Sequence, residues 1–190
     1  MPLTTKIDAV NEVLAGIGES PVSSLSSGFV TASMASSRID VVSREVQEMG
    51  WYFNTENAVR LAPDTEGNIK LPANTLRVDS SDVRRGTVVQ RGLRLYDNRN
   101  HTYTFKVAVE LDLVVELPFE ELPEAAKRYI TLRAKRLFQD DLLGSGELHQ
   151  AQTPDEIAAL QMLKQMDSEV GDYNIFDNYD LADWIRRDIY

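Results

Sequence analysis

Cysteine is absent from these 190 residues. That excludes disulfides, thiolate metal sites and a cysteine nucleophile, and it fits assembly in a reducing cytoplasm. Histidine is scarce. His101 and His149 are far apart in the sequence, in segments read as loops, and no spacing around them suggests metal ligands. No run of eighteen apolar residues occurs, so no membrane span is expected. The opening Met1-Pro2-Leu3-Thr4-Thr5-Lys6 lacks an apolar signal core, so no secretion signal is expected either. There is no phosphate-cradling glycine loop and no Gly-x-Ser-x-Gly elbow. Gly16-Ile17-Gly18 has neither the preceding strand nor the third glycine of a dinucleotide fingerprint. No cofactor and no metal site is expected.

Positive charge is also in short supply. The net charge is −10, unevenly spread. Residues 139–190 hold twelve acidic and three basic side chains, whereas residues 77–106 hold seven basic and three acidic ones. Duplex binding draws on Lys and Arg, so a DNA-binding factor, which would bind with strong salt sensitivity, is disfavoured. A basic middle and an acidic end suit a subunit whose two ends meet different neighbours.

What is present is a split helical pattern. Ile7, Val10, Leu14 and Ile17 recur at helical spacing, with Thr5 and Asp8 resembling a capping box and Gly18 as a stop. Ala35, Ile39, Val42, Val46 and Met49 mark a second helix from about Thr31 to Met49, ended by Gly50. Trp51-Tyr52-Phe53 is expected to roof a junction with a sheet. Short alternating runs follow: residues 58–61, 69–71, 76–78, 88–90, 93–97, 103–107 and 111–117, with a hairpin expected about residues 97–101. The helical period returns at Leu122-Pro123-Glu124, through Ala126, Ile130, Ala134 and Leu137, to about Leu143. Thr153-Pro154-Asp155-Glu156 reads as the start of a fourth helix carrying Ile157, Leu160, Leu163 and Met166.

The fold class expected is therefore α+β. An antiparallel bundle of about four helices is interrupted by an inserted antiparallel β module and followed by an extended C-terminal tail. The organisation reads as residues 1–50 and 120–171 forming the two halves of a helical body, 51–119 the insert, and 172–190 a docking tail.

Two segments look built for partners. Eight large apolar residues fall in the last eighteen, and Tyr173, Phe176, Tyr179, Trp184 and Tyr190 are candidate anchors. Arg84, Arg85, Arg91 and Arg94 of the insert are candidates for contact with a neighbouring subunit or partner. The one catalytic option left is a carboxylate pair cleaving glycans, from Glu120, Glu121 and Glu124 or from Asp140, Asp141 and Glu147. Thirty acidic residues make such pairs cheap by chance.

The run Ala9-Val10-Asn11-Glu12-Val13-Leu14-Ala15-Gly16-Ile17-Gly18-Glu19-Ser20-Pro21-Val22 resembles the opening of the tail tubular protein A family of short-tailed, podovirus-type phages. Gly50-Trp51-Tyr52-Phe53-Asn54 is similar to that family's aromatic run after its second helix. Leu122-Pro123-Glu124, Tyr129-Ile130, Ala134, Arg136 and Phe138 match its returning helix, and Tyr173-Asn174 with Phe176-Asp177 its tail. The insert, residues 58–117, matches only in pattern. The resemblance implies a structural, non-enzymatic virion protein assembled in the host cytoplasm. It implies a ring of about twelve copies joined by heterologous contacts. That ring would sit as an adaptor between the portal and a nozzle of the tubular protein B type, around the channel through which genomic DNA leaves without sequence-specific binding. The rival reading is a glycan hydrolase acting on the host envelope.

Overall fold

The computed structural model describes residues 3–26, 28–79 and 88–171. Among these are α1 (Lys6–Ala15), α2 (Val30–Glu48), β1 (Thr55–Leu61), β2 (Thr75–Asp79), β3 (Val88–Arg91), β4 (Arg94–Asp97), β5 (Val109–Val115), α3 (Glu124–Leu143) and α4 (Gly146–Gly171). Short 3-10 turns at Tyr52–Asn54 and Phe119–Glu121 stand where the chain enters and leaves the strands. The fold is α+β, with the helices split in sequence by antiparallel strands.

The helical core forms where the predicted stripes meet. Val10 and Leu14 of α1, Ala35, Ile39, Val42 and Val46 of α2, and Ala126, Ile130, Ala134 and Phe138 of α3 are all buried in one cluster. Removing each of the larger aliphatic side chains from water contributes about 1.5–3 kcal/mol. The alanines leave room for the helix backbones to approach. The Thr5–Asp8 capping box is present: Asp8 N donates to the Thr5 hydroxyl at 3.3 Å, and Thr5 N donates to Asp8 Oδ2 at 3.0 Å. Gly18 and Gly50 adopt the positive φ that ends each helical run.

Met49, expected on the buried stripe, is 55% exposed. Trp51 takes its place: the chain reverses at Gly50, and the indole Nε1 donates to Val46 O at 2.6 Å inside the helical core. Tyr52 of the same aromatic run faces outward.

The described strands form two sheets. β5 lies between β1 and β2, antiparallel to both. Its Val109, Leu111, Leu113 and Val115 fill a second core with Ile69, Leu71, Val88 and Leu95. β3 and β4 make a hairpin turned at Gly92, whose φ is 63°. The hairpin expected about residues 97–101 reduces to a turn closed by one bridge, Asp97 with Thr102. Residues 103–107 form no strand. Phe105 N instead donates to Gly67 O, and Asn68 bridges Thr104, so that run is spent on an isolated loop contact. Residues 69–71 pair with the free edge of β4 through Leu95 N to Ile69 O and Leu71 N to Leu93 O, both 3.0 Å.

The fourth helix starts seven residues before its expected position. The Ser145 carbonyl and hydroxyl accept from His149 N and Leu148 N, which opens α4 near Gly146. Pro154 therefore lies inside the helix, where the Thr153 hydroxyl donates to His149 O at 2.7 Å. The buried stripe is Glu156, Ala159 and Leu163, while Ile157 is 51% exposed. The helix is rotated because Glu156 turns inward to meet Arg133 and Arg136 of α3.

Candidate assembly surface

Tyr173, Phe176, Tyr179, Trp184 and Tyr190, together with Arg84 and Arg85, lie outside the described residues. Arg91 and Arg94 are described. They face each other across the tip of the β3–β4 hairpin, and the turn between them exposes Leu93. The Arg91 guanidinium stands 3.5 Å over the Tyr96 ring and Arg94 4.6 Å over Tyr103. The two rings meet edge to face at 4.8 Å. Among the described residues neither arginine is in an ion pair. Stacking fixes each guanidinium plane and leaves its N–H edge open, a form suited to a planar carboxylate on a partner. The Tyr96–Tyr103 platform was not read from the sequence, because Tyr103 reaches the hairpin only through the turn at Asp97.

Three of the candidate carboxylates, Glu124, Asp140 and Asp141, are engaged with neighbouring side chains. Glu124 accepts from the Thr4 hydroxyl at 2.7 Å and Thr4 N at 3.1 Å, and pairs with Lys127 at 3.2 Å. The Thr4 hydroxyl bond, then Lys127, holds its carboxyl below the ordinary glutamate range. A glycosidase acid needs the opposite direction. Asp140 bonds Arg136 at 3.2 Å and His149 at 2.8 Å, and Asp141 pairs with Arg38. Glu120, Glu121 and Glu147 are exposed. His101 sits in an exposed turn with φ 54°. No cluster of three metal-binding side chains occurs among the described residues, and no described helix is long and apolar enough to cross a membrane.

Two buried amides join the helical core to the strands, and the sequence reading passed over both. Gln47 Nε2 donates to Leu117 O at 3.1 Å while its Oε1 accepts from Leu117 N at 2.8 Å. Asn54 Nδ2 donates to Gln47 O and to Val115 O, each at 2.9 Å, and its Oδ1 accepts from Trp51 N at 2.9 Å. The available signal was a glutamine one helical turn after Ser43 on an otherwise apolar face. The arrangement holds strand β5 against the end of α2 and offers no reactive centre.

The profile of the tail tubular protein family matches residues 7–173, which takes in α1 but for Lys6, and the whole of α2, the described strands, α3 and α4. Tail tubular protein A of Klebsiella phage KP34 is 31% identical over 142 residues, a span covering 73% of this chain and 74% of that protein. The chain belongs to the tail tubular protein family and is a structural component of a bacteriophage tail.

Proposed function

We propose that this chain assembles into a ring-shaped adaptor between the portal and the tail nozzle, with genomic DNA passing through its centre. The observation that carries the reading is family membership across 7–173. The four helices and their polar joint to β5 form a stiff subunit body, and residues 1–50 with 120–171 act as that body, 51–119 as the inserted module and 172–190 as a docking tail. In this reading the net charge of −10 has a physical reason, because like charge keeps a phosphate backbone from adhering to an acidic channel wall. The ring holds about twelve copies, joined by heterologous contacts, and assembles in the host cytoplasm before joining the virion.

In this reading Tyr173, Phe176, Tyr179, Trp184 and Tyr190 dock on the portal, and the arginine segment, Arg84 and Arg85 with the stacked Arg91 and Arg94, meets the nozzle or a neighbouring subunit. Mixing the chain with portal and nozzle proteins and imaging the particles tests it. A ring of density between the two supports the reading, and a nozzle that binds portal without this chain refutes it. Deleting 173–190 abolishes portal binding; unchanged binding removes the tail assignment. Arg91→Glu with Arg94→Glu weakens nozzle or neighbour contact; normal attachment and assembly removes the arginine assignment.

A further inference from the structure

α2 carries a second stripe besides its buried one. Val30, Met34, Ser37 and Val41 follow at steps of four, three and four on its outward side. Met34, Ser37 and Val41 of that stripe, with Leu142 of α3, border an open groove of about 380 Å³ whose floor is the buried Phe138. Met34 and Val41 are each 46% exposed. The two charges at the rim, Arg38 and Asp141, neutralise each other.

α4 carries the converse shape. From Gln150 to Gln165 its exposed residues include Pro154, Ile157, Ala158, Gln161 and Met162, and the charged ones among them are Asp155 and Lys164 alone. Met162 is 65% exposed. The result is a convex, almost uncharged ridge.

Groove and ridge stand on different flanks of α3. Arg136 faces α4 through Glu156, whereas Phe138 and Leu142 line the groove. At about 100° per residue, Arg136 is separated from these two by about 120–160° around the helix. One chain therefore cannot fill its own groove with its own ridge. Two unlike apolar patches, one concave and one convex, define a head-to-tail contact where they meet. Charge selects the occupant: copies of a −10 chain repel over most of their surface, and these two neutral faces are where they meet without that repulsion. Interface centres are likewise depleted of charge.

We infer that a second copy of this chain docks head to tail, its α4 ridge around Ile157 and Met162 seated in the groove between Met34, Val41 and Leu142. The contact rests on the ring reading above and is the joint through which that ring closes.

The absence of native cysteine makes the test direct. Ser37→Cys in the groove and Ala158→Cys on the ridge are both exposed positions. A short bis-maleimide, applied with and without portal, yields a ladder of covalent oligomers from the double variant. Each single variant alone stays monomeric, and an equal mixture of the two stops at dimers. Met34→Glu in the double variant lowers the yield about tenfold, as loss of about 1.4 kcal/mol of contact requires. No ladder from the double variant overturns the inference. If wild-type chain still forms closed rings by native mass spectrometry, the ring reading survives that failure. A ladder without closed rings keeps the contact and overturns the ring. Single variants that crosslink to themselves as well as the double overturn it in favour of a two-fold contact. An intrachain crosslink between Ser37→Cys and Phe176→Cys overturns it in favour of the tail.

Discussion

At the scale of residues, the polar groups inside the apolar stripes decide how the parts are held. Asn54 is 1% exposed and makes three bonds to main-chain atoms. Asn54→Ala leaves the Val115 and Gln47 carbonyls without that donor, at a cost of about 2–4 kcal/mol. For a chain of this size the melting temperature falls by about 5–15 °C, readable by calorimetry. Glu156 balances Arg133 and Arg136, and its hydrogen bond is the first cause of the upward push on Arg136. Glu156→Gln leaves those guanidinium groups facing a neutral partner, although Asp140 keeps part of the balance. The Glu124 carboxyl is depressed, so its bonds to Thr4 and Lys127 contribute stability above the unfolded pKa of about 4.3 and lose it as pH falls through the lower folded value. Glu124→Gln is therefore less stable than wild type at pH 7, by a small amount at so exposed a site, and the gap closes as pH falls below the ordinary glutamate range. A gap that persists or widens in acid contradicts the assignment. The capping box at Thr5 was legible because its spacing is local. Gln47 and Asn54 were not, because their partners lie seventy and sixty-one residues away.

At the scale of elements, periodicity located α1, α2 and α3 within about two residues. It failed at α4 for a definable reason. Thr-Pro-Asp-Glu has the chemistry of a helix start, yet Ser145 supplies an earlier one and Pro154 is carried inside the helix. An interior proline removes one helical hydrogen bond. The turns before Pro154 should therefore open more readily than those after it: amides of 147–153 exchange at least about tenfold faster than those of 159–166, which cover Leu163. Uniform protection would contradict the proline's role. The strands were legible as short alternating runs, but not their pairing. The run 103–107 alternates like a strand and pairs as a loop, since its neighbours offer one bridge each rather than an edge. Gly50 shows the same dependence on distant packing. Its φ is 76°, and an added Cβ would lie 2.6 Å from the Arg77 guanidinium. Gly50→Ala should lower stability by more than about 1 kcal/mol in denaturant unfolding.

At the scale of the whole molecule, two apolar cores joined by buried amides leave the remaining surface for partners. Much of what the sequence proposed for partners was a composition argument, and the described residues bring only Arg91 and Arg94 into a defined geometry. The exposed faces of α2 and α4 could not be read in advance, because telling an outward apolar stripe from an inward one requires the neighbouring helix. The two kinds of contact should answer salt in opposite directions. Self-association of a −10 chain through neutral faces strengthens as ionic strength rises from about 0.01 to 0.15 M, and attachment through the arginine tip weakens over the same range. Sedimentation at matched protein concentration separates them.

Native mass spectrometry of the purified chain with and without portal tests the adaptor ring most directly. The account predicts one dominant complex in which a closed ring of the chain adds to the portal, with no ladder of partial occupancies. A portal whose mass is unchanged by excess chain would contradict it.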